Sequence, residues 1–151
     1  MQVFKQIICP VSPERIDENV VRLTALWVVL SMGTFFMTGI SVIPLLISID
    51  FFIRAFTQAK ISPFSRLSKQ IVAAMGLNPV LIDKGPKIFA ARIGFILTIL
   101  TTSLSLSGLQ SASVVTGSIL VLFAFLECGL NFCAGCWLYT FLVYPLVRKN
   151  Q

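Results

Sequence analysis

Apolar residues fall into four long runs separated by short polar punctuation. Val20–Thr38 is 19 residues long, about 28 Å of α-helix, close to the roughly 30 Å of a bilayer's hydrocarbon core. Gly39-Ile40-Ser41 makes a tight return into Val42–Phe56, whose Pro44 falls in the first turn, where a missing N–H is tolerated. Ile88–Ser107 is entered through Gly85-Pro86-Lys87, and Gly108–Ser111 leads into a run from Ala112 to about Phe132. The pattern predicts an all-α membrane protein, one integral domain over residues 1–151, with four transmembrane helices at about 20–38, 42–56, 88–107 and 112–132.

Two stretches do not fit a plain four-helix hairpin pair. Apolar sequence continues through Trp137–Val147 to Arg148-Lys149. A straight helix from Ala112 to Val147 would be about 54 Å long, so Gly129 and Gly135 predict a break near Asn131–Gly135. Between the second and third runs, Ser62-Pro63 reads as an N-cap with Pro at the first helical position, and Gly76 as a stop. The spacing predicts an amphipathic cytoplasmic helix over about 63–75, with Phe64, Leu67, Ile71, Ala74 and Met75 on one face and Arg66, Lys69 and Gln70 opposite. It has two placements: at the headgroup boundary of an anionic leaflet, or packed on the end of the bundle.

Composition agrees with the pattern. Hydrophobic residues make up 56% and charged residues 12% of the chain, with a mean hydropathy of +0.90. A soluble domain carries about 25% charged residues, so a water-facing globule is excluded. Twelve Lys+Arg against six Asp+Glu give a net charge of +6, which in a membrane chain is read first as topology and not as affinity for nucleic acid. The returns at Gly39–Ser41 and Gly108–Ser111 carry no charge, and all twelve basic residues lie on the other side. The positive-inside rule then places both termini and the middle loop in the cytoplasm. The N-terminus lacks the continuous apolar core of a secretory signal.

Histidine is absent, which removes Ser-His-Asp and Cys-His catalysis and imidazole metal ligation. Any chemistry must run through thiols and carboxylates. Asp50 lies six residues before the end of the second run, about 9 Å inside it. Glu127 is placed similarly in the fourth, and Arg22, Arg54 and Arg92 each lie about a turn from the cytoplasmic boundary. Asp50 and Arg54 have the favourable i,i+4 order. The cluster reads either as an ion-pair network that sets helix register or as a small-anion cleft with Glu127 as proton acceptor. Thr98, Thr101, Thr102, Ser103, Ser105 and Ser107 in the third run suit close helix packing.

Cys133-Ala134-Gly135-Cys136 is a C-x-x-C, able to close a disulfide, hold a soft metal or carry sulfur as a persulfide. Thiols on a reducing cytoplasmic face are more often redox-active or metal-binding than structural. Cys9 is a candidate third thiol from the same side, and Cys128 reads as a small core residue.

These residues resemble the bacterial membrane family called domain of unknown function 4395. The likeness is carried by Ile16-Asp17-Glu18-Asn19-Val20-Val21-Arg22, the Asp50/Arg54 pair, Pro86 through Gly94, and Cys133-Ala134-Gly135-Cys136 followed by Trp137-Leu138-Tyr139. It runs from Asp17 to about Tyr139, with Ala134 where that family often has a larger apolar residue. The resemblance implies a small inner-membrane protein whose relatives are associated with thioredoxin-like or sulfurtransferase proteins, and it supplies no mechanism.

The expectations are therefore a thiol-redox or sulfur-relay protein acting through Cys133 and Cys136, a soft-metal or small-anion transporter, or a non-catalytic scaffold. Membrane lipid is an expected partner, a homo-oligomer is allowed, and no cofactor is expected.

Overall fold

The computed structural model describes residues 15–57 and 62–130, together with residues 137 and 141. Among them are five helices: α1 (Glu18–Thr38), α2 (Val42–Phe56), α3 (Pro63–Ala74), α4 (Gly85–Leu106) and α5 (Gln110–Leu130). Two three-residue strands, β1 (Arg15–Asp17) and β2 (Leu81–Asp83), pair antiparallel with Ile16 opposite Ile82. Three helical stretches, Glu18–Thr38, Lys87–Leu106 and Gln110–Gly129, are long and apolar enough to cross a membrane, as expected of a multi-pass membrane protein. The 15 residues of α2 are shorter than such a span. The predicted break near Asn131–Gly135 lies outside the described residues.

Local signals account for the element ends. Asp17 caps α1, its Oδ1 accepting the Asn19 N–H at 3.0 Å and that of Val80 at 3.4 Å, which ties the cap to the β2 side. Gly39 ends α1 at φ 68°, a left-handed conformation that costs glycine no Cβ clash. Ser62 caps α3 and Pro63 opens it, as its sequence predicts.

The helices α1, α5, α4 and α2 pack in that order, and α2 closes more lightly on α1. Ser41 Oγ lies 2.7 Å from Ser105 Oγ, so the two charge-free returns share one end of the bundle. Val28, Met32, Phe35, Ile47, Phe51, Ala55, Ala91, Leu120 and Ala124 form the apolar core. Thr98, Thr101, Thr102 and Ser113 are buried beside it, while Leu30, Ile96, Leu100, Val115 and Leu122 face outward. Small hydroxyls inside and large aliphatics outside is the pattern of helices packed in lipid. The hydroxyls are satisfied locally: Thr98 donates to the Gly94 carbonyl at 2.8 Å, Thr102 to that of Thr98 at 2.8 Å, and Ser113 across the interface to that of Thr101 at 3.0 Å. Packing therefore accounts for the Ser/Thr-rich run of α4.

Where α1 meets α5, a Cβ on Gly117 would stand 2.8 Å from Met32 Cε and 3.0 Å from Phe36 Cε1. The Met32 methyl can swing aside, and the Phe36 ring is exposed and not enclosed by the core. Gly117→Ala is therefore expected to cost only about 1 kcal/mol, the low end for overpacking. A thermal unfolding midpoint in lipid nanodiscs checks it.

Candidate functional site at the charged end

The half of the bundle away from the returns holds the expected polar residues, but not as one cluster. Asp50 is 1% exposed. Its Oδ2 lies 3.1 Å from Arg54 Nε, yet neither atom has an aligned hydrogen bond among the described residues, so the contact is ionic. The Arg54 guanidinium sits 4.5 Å from the centroid of the Phe51 ring. Asp50 Oδ1 accepts the Ser62 hydroxyl at 2.5 Å and the Phe64 N–H at 3.3 Å. Ser62 Oγ in turn accepts the Ser65 N–H at 3.3 Å. One carboxylate thus neutralises a buried arginine and clasps the N-terminus of α3 to α2, where a helix favours negative charge.

A second pair joins α4 to α5: Lys87 Nζ donates to Glu127 Oε1 at 2.6 Å. The carboxylate expected to accept a proton is thereby held by an ammonium. Arg22 Nε donates to the Cys128 carbonyl at 3.1 Å, which fastens the last turns of α5 to α1 and satisfies a carbonyl near a helix C-terminus. Arg92 stands apart on the exposed side of α4, 5.9 Å from the centroid of Phe56. Phe56, Phe52 and Phe95 form an aromatic group there, with centroids 4.8 Å apart for Phe52–Phe56 and 5.4 Å for Phe52–Phe95.

The structure thus brings Asp50 and Arg54 together, leaves Glu127 to Lys87, gives Arg22 to a backbone carbonyl, and separates Arg92. Sequence reasoning missed Ser62 and Lys87 as partners. The Ser62-Pro63 cap was the available signal for the first, and nothing local marked the second. Cys128 is a half-buried free thiol. Cys9, Cys133 and Cys136 lie outside the described residues. Among the described residues, no group of three or more His, Cys, Asp or Glu side chains could hold a metal.

The family model described as a domain of unknown function (DUF4395) matches residues 16–144, most of the chain. The protein belongs to this family. No curated protein and no solved structure matches it. The DUF4395 match covers every described element from α1 to α5, together with the Asp50 clasp, the Lys87–Glu127 pair and the C-x-x-C.

Proposed function

We propose that this DUF4395 protein is a bacterial inner-membrane protein of four spans with cytoplasmic termini. It presents Cys133 and Cys136 at its charged mouth for thiol or sulfur exchange with a soluble thioredoxin-like or sulfurtransferase partner. The observation that carries this reading is the anchoring of the last turns of α5 at the charged end, by Arg22 on the Cys128 carbonyl and Lys87 on Glu127. Cys133 follows Cys128 by five residues, and a cation beside a thiol favours its thiolate form. In exchange with a partner disulfide, one thiolate attacks a partner sulfur and the second resolves the mixed disulfide. Two electrons and two protons pass to the partner, leaving a disulfide here and a dithiol there.

Redox titration of the full chain in sealed vesicles with glutathione buffers, read by alkylation mass shift, tests the reading. A Cys133/Cys136 couple that titrates and is alkylated from the cytoplasmic side is expected. Thiols that stay reduced throughout and take up no persulfide from a sulfane-sulfur donor reject it.

A non-catalytic scaffold is the second reading. It is favoured by the internal pairing of these groups: Asp50, Glu127, Lys87 and Arg22 join helices, and Arg54 neutralises Asp50 within α2. In that case Cys133→Ser with Cys136→Ser leaves partner binding and cell phenotype unchanged. A soft-metal or small-anion transporter remains an alternative that a Cu(I), Zn or Hg(II) titration decides for the metal.

A further inference from the structure

Helix α2 stops short. From the shared turn, α1 runs 21 residues and α2 only 15, so α2 ends about 9 Å below the head of α1. By itself it covers about 22 Å of a roughly 30 Å core. Three hydrogen bonds identify what fills the missing length. Ser62 bonds to Asp50, in the middle of α2. Ser68 accepts from Thr24 at 3.1 Å, almost two turns into α1. The Asn78 carbonyl accepts from the Asn19 side chain at 3.1 Å, at the head of α1. From Ser62 to Asn78 the chain therefore climbs along α1 in the same direction as α2. With 12 residues, α3 adds about 18 Å, and an overlap of about 9 Å brings the α2–α3 column to roughly the height of α1.

We infer that α2 and α3 are the two halves of one discontinuous membrane span, and that the Leu67–Ile71–Ala74–Met75 stripe of α3 faces phospholipid acyl chains in the leaflet at the charged end. The polarity of α3 carries the second part. It buries Ser65, Ser68 and Val72, while Leu67 is 41% and Met75 64% exposed. A helix on a water-soluble protein turns its apolar face inward. Here Ser65 and Ser68 lie inside with Val72 while Leu67, Ala74 and Met75 lie outside, so buried hydroxyls accompany exposed aliphatics as they do on α4 and α5.

Irregular backbone at membrane depth must have its polar groups satisfied by protein, and at the start of α3 the Phe64 and Ser65 N–H groups are. Asp50 takes the Ser62 hydroxyl and the Phe64 N–H, and Ser62 takes the Ser65 N–H. Arg66 and Lys69, on the other side of α3, have stems long enough to carry their charge to anionic headgroups. One consequence is that the Asp50–Arg54 pair stands near the middle of the span, deeper than the end of α2 alone suggests. Charges at that depth are costly unless paired, and here they are.

Leu67→Trp in the full chain tests the inference. The chain is reconstituted into vesicles of phosphatidylcholine and phosphatidylglycerol with or without bromine on the acyl chains. Emission added over the parent's Trp27 and Trp137 is the readout. Brominated lipid is expected to quench it as strongly as at the outward-facing Leu100→Trp, while Lys69→Trp is spared and yields to aqueous iodide. If Leu67→Trp resists brominated lipid, the inference is overturned. Iodide quenching would then mean α3 lies in water, and quenching by neither agent would mean that protein or a second copy covers the stripe. Leu67 is outside the core, and Met75→Trp repeats the comparison, so a folding defect at one site does not decide it. The readout involves no thiol and stands or falls independently of the dithiol reading.

Discussion

Asp50→Leu is expected to destabilise the protein by about 3–5 kcal/mol, the cost of leaving one partner of a buried ion pair alone. Arg54 loses its counter-ion, and the Ser62 hydroxyl and the Phe64 N–H lose their acceptor. Arg54→Leu strands the carboxylate but keeps the two hydrogen bonds, so its cost is smaller. Asp50→Leu with Arg54→Leu should cost clearly less than the sum of the single changes, since no unpaired charge remains. Asp50→Asn separates the two roles, because its amide oxygen can still accept from Ser62 while the charge is gone. Unfolding midpoints in nanodiscs, together with protease sensitivity of the segment around α3, measure both. An Asp50→Leu protein within about 1 kcal/mol of the parent would contradict the clasp.

Gly94→Val is the second large effect. A Cβ at Gly94 would lie 2.7–2.9 Å from three carbons of the Phe51 ring, where the ring is already packed into the core. At Gly117 the nearest atom is a flexible methyl and the Phe36 ring is exposed, whereas the Phe51 ring is enclosed by the core, so α4 and α2 must separate. The cost is expected near 3 kcal/mol, the upper part of the overpacking range, with about 2 kcal/mol for Gly94→Ala. Combining Gly94→Ala with Phe51→Leu should restore part of the loss, and a double-mutant cycle on unfolding midpoints measures the coupling. Strict additivity would show that the two residues do not press on each other.

The Asp50 clasp shows how far sequence reading reaches. Asp50 and Arg54 are four residues apart on one helix, so their pairing follows from helical geometry alone. Ser62 as a cap is equally local. The bond between Ser62 and Asp50 is not, because it depends on the chain doubling back after Phe56. Lys87 and Glu127 are forty residues apart, and their meeting depends on the register in which α4 packs on α5. The face of α3 is a further case. Its apolar stripe is legible from 3.6-residue spacing, which leaves open whether the headgroup boundary or the end of the bundle receives it. The packing buries the adjoining serine face instead, where Thr24 offers a hydroxyl partner. The β1–β2 ribbon joins strands more than sixty residues apart, each only three residues long, too short for any alternation to register.

What the sequence by itself determined is therefore the membrane class, the number and polarity of the apolar runs, the charge-free returns and the family. Run length, capping and charge placement are properties of neighbouring residues and need no partner to be read. Only the tertiary structure decided that the expected five-residue polar cluster divides into an Asp50 clasp, a Lys87–Glu127 bridge and an Arg22 anchor, with Arg92 apart. It also decided that α2 ends below α1 and that α3 continues beside it. Each of these follows from which helices lie side by side and at what height. A buried charge or hydroxyl takes whichever partner that packing brings within about 3 Å, because leaving it unpaired in a low-dielectric interior costs more than any local preference.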